Sequence, residues 1–199
     1  MHTNIKASLF ALALVMPLSG AWSAANELLV LQPQSRLWID GSSTMKRWTC
    51  KAGAVNAIVE ANGPNAIATL LTGDKGVRTV RVTVPAAQID CDNGTMNEHM
   101  RKALKLADHP SIDFRLTTYD VARNADGVTG TMTGTLSLGG VEKTITMKAE
   151  GKSEDAMLHI TGSYPLNMKD YDLKPPTLMF GRIKVGETVT VNFDLLLKS

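Results

Sequence analysis

Chemistry in this 199-residue chain must come from a small set of positions: four histidines, two cysteines and a few short acidic or hydroxyl-bearing runs. His2 belongs to the N-terminal leader described below, which leaves His99, His109 and His159. His99 and His109 are too far apart to chelate as an i, i+4 helical pair, and His159 sits on the polar side of an alternating segment. With no third ligand in prospect, a metal site is not expected. Asn97-Glu98-His99 sets a carboxylate beside an imidazole, a pairing suited to general acid–base catalysis. Yet Thr95 and Glu98 have the spacing of a capping box, in which Glu98 satisfies a backbone N–H of the first helical turn. Gly41-Ser42-Ser43 lacks the GxSxG elbow of a serine nucleophile, and no glycine loop of the phosphate-cradling kind is present. The carboxylates at 153–155 and 170–172 lie in lysine-flanked, turn-like stretches that read as solvated surface. No catalytic residue and no cofactor is expected.

The elements that would position these residues are mostly strands. The exception is Thr95 to Phe114, TMNEHMRKALKLADHPSIDF, where Met100, Ala103, Leu104 and Ala107 recur on one helical face. His109-Pro110 is expected to end that helix, because the residue before proline avoids the α region and proline cannot donate to the ladder. Ile112, Phe114 and Leu116 then alternate with polar residues, so the period changes from 3.6 to 2.

Alternation is clean elsewhere. Val80, Val82 and Val84 share a face; Val128, Gly130, Met132, Gly134, Leu136 and Leu138 oppose a row of threonines and a serine. Ile145 and Met147 behave alike, as do Leu158, Ile160 and Tyr164, and finally Val189, Val191, Phe193, Leu195 and Leu197. Weaker runs occupy 36–40, 44–50 and 54–61. Turn signals fall at Asn124–Gly127, Gly139-Gly140 and Gly151–Asp155, and such short connections imply antiparallel neighbours. About eight strands, each dry on one side, must curl to bury that side, and a barrel of that size encloses one slender ligand. Gly130 and Gly134 on the dry face mark a bend or, alternatively, room for a ligand. The fold class expected is all-β, an antiparallel lipocalin-like barrel of about eight strands with one amphipathic helix.

Between Tyr164 and Val185 the pattern breaks. Lys169-Asp170-Tyr171-Asp172 and Pro175-Pro176 read as a loop, with Leu178-Met179-Phe180 as an apolar tip that either plugs a barrel end or guards its entrance.

The first 25 residues read as a secretory signal, with Lys6 in the n-region, Ala7–Met16 as the h-region and cleavage after Ser23 or Ala25. The apolar run is too short to span a bilayer core of about 30 Å, so the mature chain, residues 26–199, is expected to carry no membrane span. Its formal charge of +1 advertises no nucleic-acid partner. In an exported chain the pair Cys50 and Cys91 is expected to form a disulfide, worth about 4 kcal/mol in the loop-entropy account.

Several of these segments, in order, resemble the YceI-like family of secreted lipocalin-like proteins. The helix and its exit match through Asn97, His99, Met100, Ala103, Leu104, Pro110, Ile112 and Phe114. A hairpin matches through Gly134, Leu136, Leu138, Gly140, Lys143 and Ile145. The resemblance covers roughly Arg36 to Lys198. One departure is the start, where many members carry a His-Ser pair and this chain has Asp40-Gly41-Ser42-Ser43 followed by Trp48-Thr49-Cys50.

The resemblance implies a periplasmic or secreted barrel that holds a long-chain amphiphile, such as a polyisoprenoid or its quinone, without catalysis. The candidates for lining the cavity are the apolar-face residues Trp48, Met100, Leu104, Phe114, Met132, Leu136, Leu158, Met179 and Phe180. The alternative is a side-chain-filled barrel that binds a protein partner through its 170–182 loop.

Overall fold

Alternating side chains govern the chain in space as they do in sequence. The computed structural model describes residues 27–178 and 180–199. Its first strands are β1 (Val30–Leu31), β2 (Arg36–Ser42), β3 (Arg47–Ala52) and β4 (Asn56–Ala61), followed by the short helix α1 (Ala66–Leu71). Next come β5 (Val77–Pro85), β6 (Ile89–Asp90) and the helix α2 (Gly94–Ala103). Four long strands follow without interruption by helix: β7 (Ser111–Arg123), β8 (Val128–Leu138), β9 (Val141–Glu154) and β10 (Met157–Asn167). The two-residue strands β11 (Thr177–Leu178) and β12 (Ile183–Lys184) pair with each other, and β13 (Thr188–Lys198) ends the chain.

Eleven of these strands form one antiparallel sheet in the order β4-β5-β7-β8-β9-β10-β13-β2-β3-β6, with β1 paired to the end of β13. The fold is thus the expected antiparallel all-β curl, with more strands than eight and, among the described residues, two α-helices rather than one. The sheet is a half-barrel whose edges, β4 and β6, do not pair with each other. At one end, residues 27–31 stitch it: Ala61 N–H donates to Glu27 O at 2.8 Å, Leu29 N–H donates to Val59 O at 2.9 Å, and Val30 and Leu31 then pair with Lys198 and Leu197.

Local sequence explains most boundaries, and two differ from expectation. The turn at 151–155 tightens to Asp155-Ala156, both at positive φ, because β9 runs on to Glu154 and pairs with Met157. Such a two-residue turn matches the twist of the strands it joins. Helix α2 is capped by Asn93, whose Oδ1 accepts from Met96 N–H at 3.0 Å, not by a Thr95–Glu98 box. An asparagine ahead of Gly94 reaches the free N–H first, which leaves Glu98 exposed on the helix surface. The helix ends at Ala103, ahead of Pro110, because Lys105 takes a left-handed conformation at φ 55.

Candidate ligand cavity

The apolar faces converge on one interior space. Side chains from β2, β3, β5, β7, β8, β9, β10 and β13 line a cavity of about 600 Å³, within the range of small-molecule sites. Aromatic residues that would be expected to fill it lie against the sheet. Beta-carbons placed at Gly41, Gly134 and Gly162 would strike the rings of Trp48, Phe114 and Phe193 respectively. Each glycine therefore lets a ring lie on the wall. At Gly134 the expected bend and the expected room coincide, since the β7–β8 register slips between Leu116 and Thr118 directly opposite.

Polar groups are few and mostly satisfied. Tyr119 Oη accepts from Val77 N–H at 2.9 Å and donates to Val77 O at 3.0 Å, and burial raises its pKa more than the Val77 N–H lowers it. Tyr171, outside the lining, is 2 % exposed, and burial, with smaller contributions from Tyr164 and Asp170, pushes its hydroxyl up to about 12. Among the described residues, Trp48 Nε1 and Tyr171 Oη are the buried side-chain polar atoms without a partner. No three metal-ligating side chains cluster among the described residues.

The two ends differ. At the first, α1 seals the half-barrel: Ala66 and Leu70 pack with Leu29, Val59, Ala61, Leu158 and Leu197 in one buried cluster. At the second, α2 covers the lumen loosely and has no fully buried residue. Its Met96 and Met100, with Leu104 at its C-cap, pack on Cys50, Val84, Ile89 and Cys91. Two ties hold it to the sheet. Asn97 accepts from Cys91 N–H at 2.8 Å and donates to Asp90 at 2.7 Å, and Cys50 is bonded to Cys91. The β2–β3 turn and the β11–β12 segment flank the helix, and Ser43, Met45, Lys46, Asn93, Thr95, His99 and Pro176 form a rim to the cavity.

Seven of the nine candidates face this space: Trp48, Met100, Leu104, Phe114, Met132, Leu136 and Leu158. Phe180 does not. It stands fully exposed at the β11–β12 tip with φ 54, because the left-handed turn there carries the ring away from the lumen. Met179 lies outside the described residues. Lining residues absent from the candidates include Leu37, Ile39, Leu70, Val82 and Leu173. The alternation of Leu37 and Ile39 was a usable signal, whereas nothing local marks Leu70 or Leu173 as inward-facing. His109 backs onto Gly140 at a turn. His159 is on the outer face, its ring nitrogens 2.7 Å from Glu154 and 2.8 Å from Asp194.

Family comparison agrees with this architecture over most of its length: the YceI-like domain matches residues 41–197. The chain belongs to the YceI-like family. Solved structures carry the same fold at low identity. Burkholderia cenocepacia BcnA superposes with a TM-score of 0.63 at 15% identity, covering 81% of this chain and 95% of its own. A Campylobacter jejuni YceI protein gives 0.56 at 19% identity, over 75% and 84%. A polyisoprenoid-binding domain from Saccharophagus degradans, implicated in plant cell wall breakdown, gives 0.61 at 13% identity, over 86% and 97%. Among curated proteins no significant match is found. In this YceI-like protein no described helix is long and apolar enough to cross a membrane.

Proposed function

We propose that this YceI-like protein is a non-catalytic carrier that holds a long-chain isoprenoid-type lipid, a polyisoprenoid or quinone, inside the half-barrel after export to the periplasm. The observation that carries the reading is the cavity of about 600 Å³ with an almost wholly hydrocarbon lining. Burying a chain there is worth about 0.8 kcal/mol per methylene, so a few isoprene units bind well without polar contacts. The Saccharophagus degradans neighbour, a polyisoprenoid-binding domain of the same fold, supports the choice of ligand class. The leader at residues 1–25, outside the described residues, supports export, and the Cys50–Cys91 bond suits an oxidising compartment. A filled core was the premise of the alternative, a protein-binding barrel, and a cavity of about 600 Å³ supports the carrier reading over it.

Trp48, Met100, Leu104, Phe114, Met132, Leu136 and Leu158 are the proposed contact residues. Organic extraction of gently purified protein, followed by mass spectrometry, tests the reading. Recovery of a C5-repeat lipid is the expected result. Empty protein that also takes up no added isoprenoid contradicts it.

A further inference from the structure

The rim of the mouth has a charge and a shape that the cavity itself does not require. Residues 41–49 and 173–186 contain Lys46, Arg47, Lys174, Arg182 and Lys184 and no aspartate or glutamate. These two segments are one body. Thr44 N–H donates to Lys184 O at 3.0 Å, Thr44 Oγ1 donates to Arg182 O at 3.2 Å, and Gly186 N–H donates to Ser42 O at 2.8 Å. All five cations are exposed, and none is within ion-pair distance of a described carboxylate. Of the nearby acids, Asp92 pairs with Lys51 at 3.7 Å and Glu187 with Lys169, whereas Asp172 and Glu98 are exposed and unpaired among the described residues, so the cations outnumber the free carboxylates. Setting the five aside leaves 15 basic against 19 acidic residues in the chain after residue 25, so the body of the molecule is net acidic and its mouth basic. Two large apolar side chains stand out from the same edge: Met45, 73% exposed, and Phe180, fully exposed.

We infer that this edge docks on an anionic phospholipid bilayer, with Phe180 and Met45 entering the headgroup layer and the five cations meeting lipid phosphates. Basic residues beside exposed apolar side chains are the two-part signal for reversible attachment to such a surface. The acidic remainder of the chain is repelled by the same surface, which orients the molecule mouth-down. A lipid then passes between bilayer and lumen past Met45 and Lys46, both of which line the cavity, without its hydrocarbon chain crossing water. The inference rests on the carrier reading for the identity of that cargo; the docking itself does not.

The test measures the two separately, on protein in the form its own cell accumulates. Docking is read by co-sedimentation with vesicles of phosphatidylglycerol and phosphatidylethanolamine, against vesicles of phosphatidylcholine. Loading is read by uptake of a polyprenol delivered from cyclodextrin. The protein should bind the anionic vesicles only, and salt of about 1 M, where the Debye length is about 3 Å, should release it. Each neutralised cation should weaken binding about fivefold, so Arg182→Gln with Lys184→Gln should cost roughly 25-fold and leave uptake from cyclodextrin unchanged. Arg47→Gln with Lys174→Gln repeats the test away from the β11–β12 turn, should the first pair disturb it. Phe180→Asn, which tolerates the positive φ, should weaken docking further. Equal binding to both vesicle types, or no loss in either pair of variants, overturns the docking inference while polyprenol uptake leaves the carrier reading standing. Docking with no uptake does the reverse.

Discussion

The two ends of the half-barrel are built from the same kinds of residue and behave as opposites. At the α1 end, Leu29 and Leu158 are each 2% exposed, Ala66 is 1% exposed, and backbone hydrogen bonds from residues 27–31 join β4 to β13. At the α2 end the covering helix has no fully buried residue, and it is fastened by the disulfide at Cys91 just ahead of it, by Asn97 and by a long Arg101 hydrogen bond to Ala87 O. Stability is concentrated where packing is dense, and access where a lid is tied at few points, as local unfolding energetics require of binding elements. In this YceI-like protein the loosely tied α2 end can therefore open without unfolding the sealed end, as the proposed carrier role requires.

Disrupting the sealed end should be most damaging. Leu29→Ala should cost about 2–5 kcal/mol, against about 1 kcal/mol for Met100→Ala on the half-exposed lid, because truncation in a tight cluster leaves a cavity and truncation beside a lumen does not. Chemical denaturation of the two variants checks the contrast, and equal losses would erase it. Next in size is the tether. Cys50→Ala with Cys91→Ala should cost up to about 4 kcal/mol, most of it through the unfolded chain, and hydrogen exchange should rise first in α2. Exchange rising first in α1 would invert the comparison.

The lumen should respond in affinity rather than in stability. Met132→Trp fills space in the middle of the wall and should lower polyprenol uptake at least about tenfold, with a stability change under about 1.5 kcal/mol because the added atoms enter open space. Smallest is the effect of the outer-face cluster. Burial raises the Asp194 carboxyl, but Arg36 and His159 more than offset it, and His159 with Lys152 holds Glu154 low. Both folded-state values are depressed, so their stabilisation is present above the ordinary carboxylate range, near pH 4, and is lost as pH falls through the lowered values. Asp194→Asn should flatten that acid limb of a melting-temperature profile, leaving the neutral region almost unchanged.

How far these features could be read from sequence depends on how local their causes are. Strands β7 to β10 and β13 were readable because period-two alternation is written along each strand, and the long half-barrel face follows from it. The Cys50–Cys91 pair and the existence of α2 were readable too. The start of α2 was misread because Thr95 and Glu98 have the right spacing, while the competing Asn93 side chain acts two residues earlier. Helix α1 left no trace: six residues, an Asn65 that makes no side-chain cap, and stability drawn from the Ala66 and Leu70 packing. The stitching by residues 27–31 is also invisible locally, since each contributing stretch is too short to alternate. Phe180 was misassigned to the lumen because hydrophobicity alone cannot distinguish a plug from an exposed tip.

The central claim is that the lumen takes a polyprenyl chain, and Trp48 is placed to report it. Trp38 bonds Asp40 through its indole N–H at 3.1 Å and is not among the lining residues, so Trp38→Phe leaves Trp48 as the one tryptophan after residue 25. Titrating delipidated Trp38→Phe protein with polyprenol should change Trp48 emission saturably, at one lipid per chain, and Met132→Trp, examined by lipid partitioning, should suppress the binding. An unchanged Trp48 emission, with no polyprenol retained by the protein after gel filtration, would contradict the account.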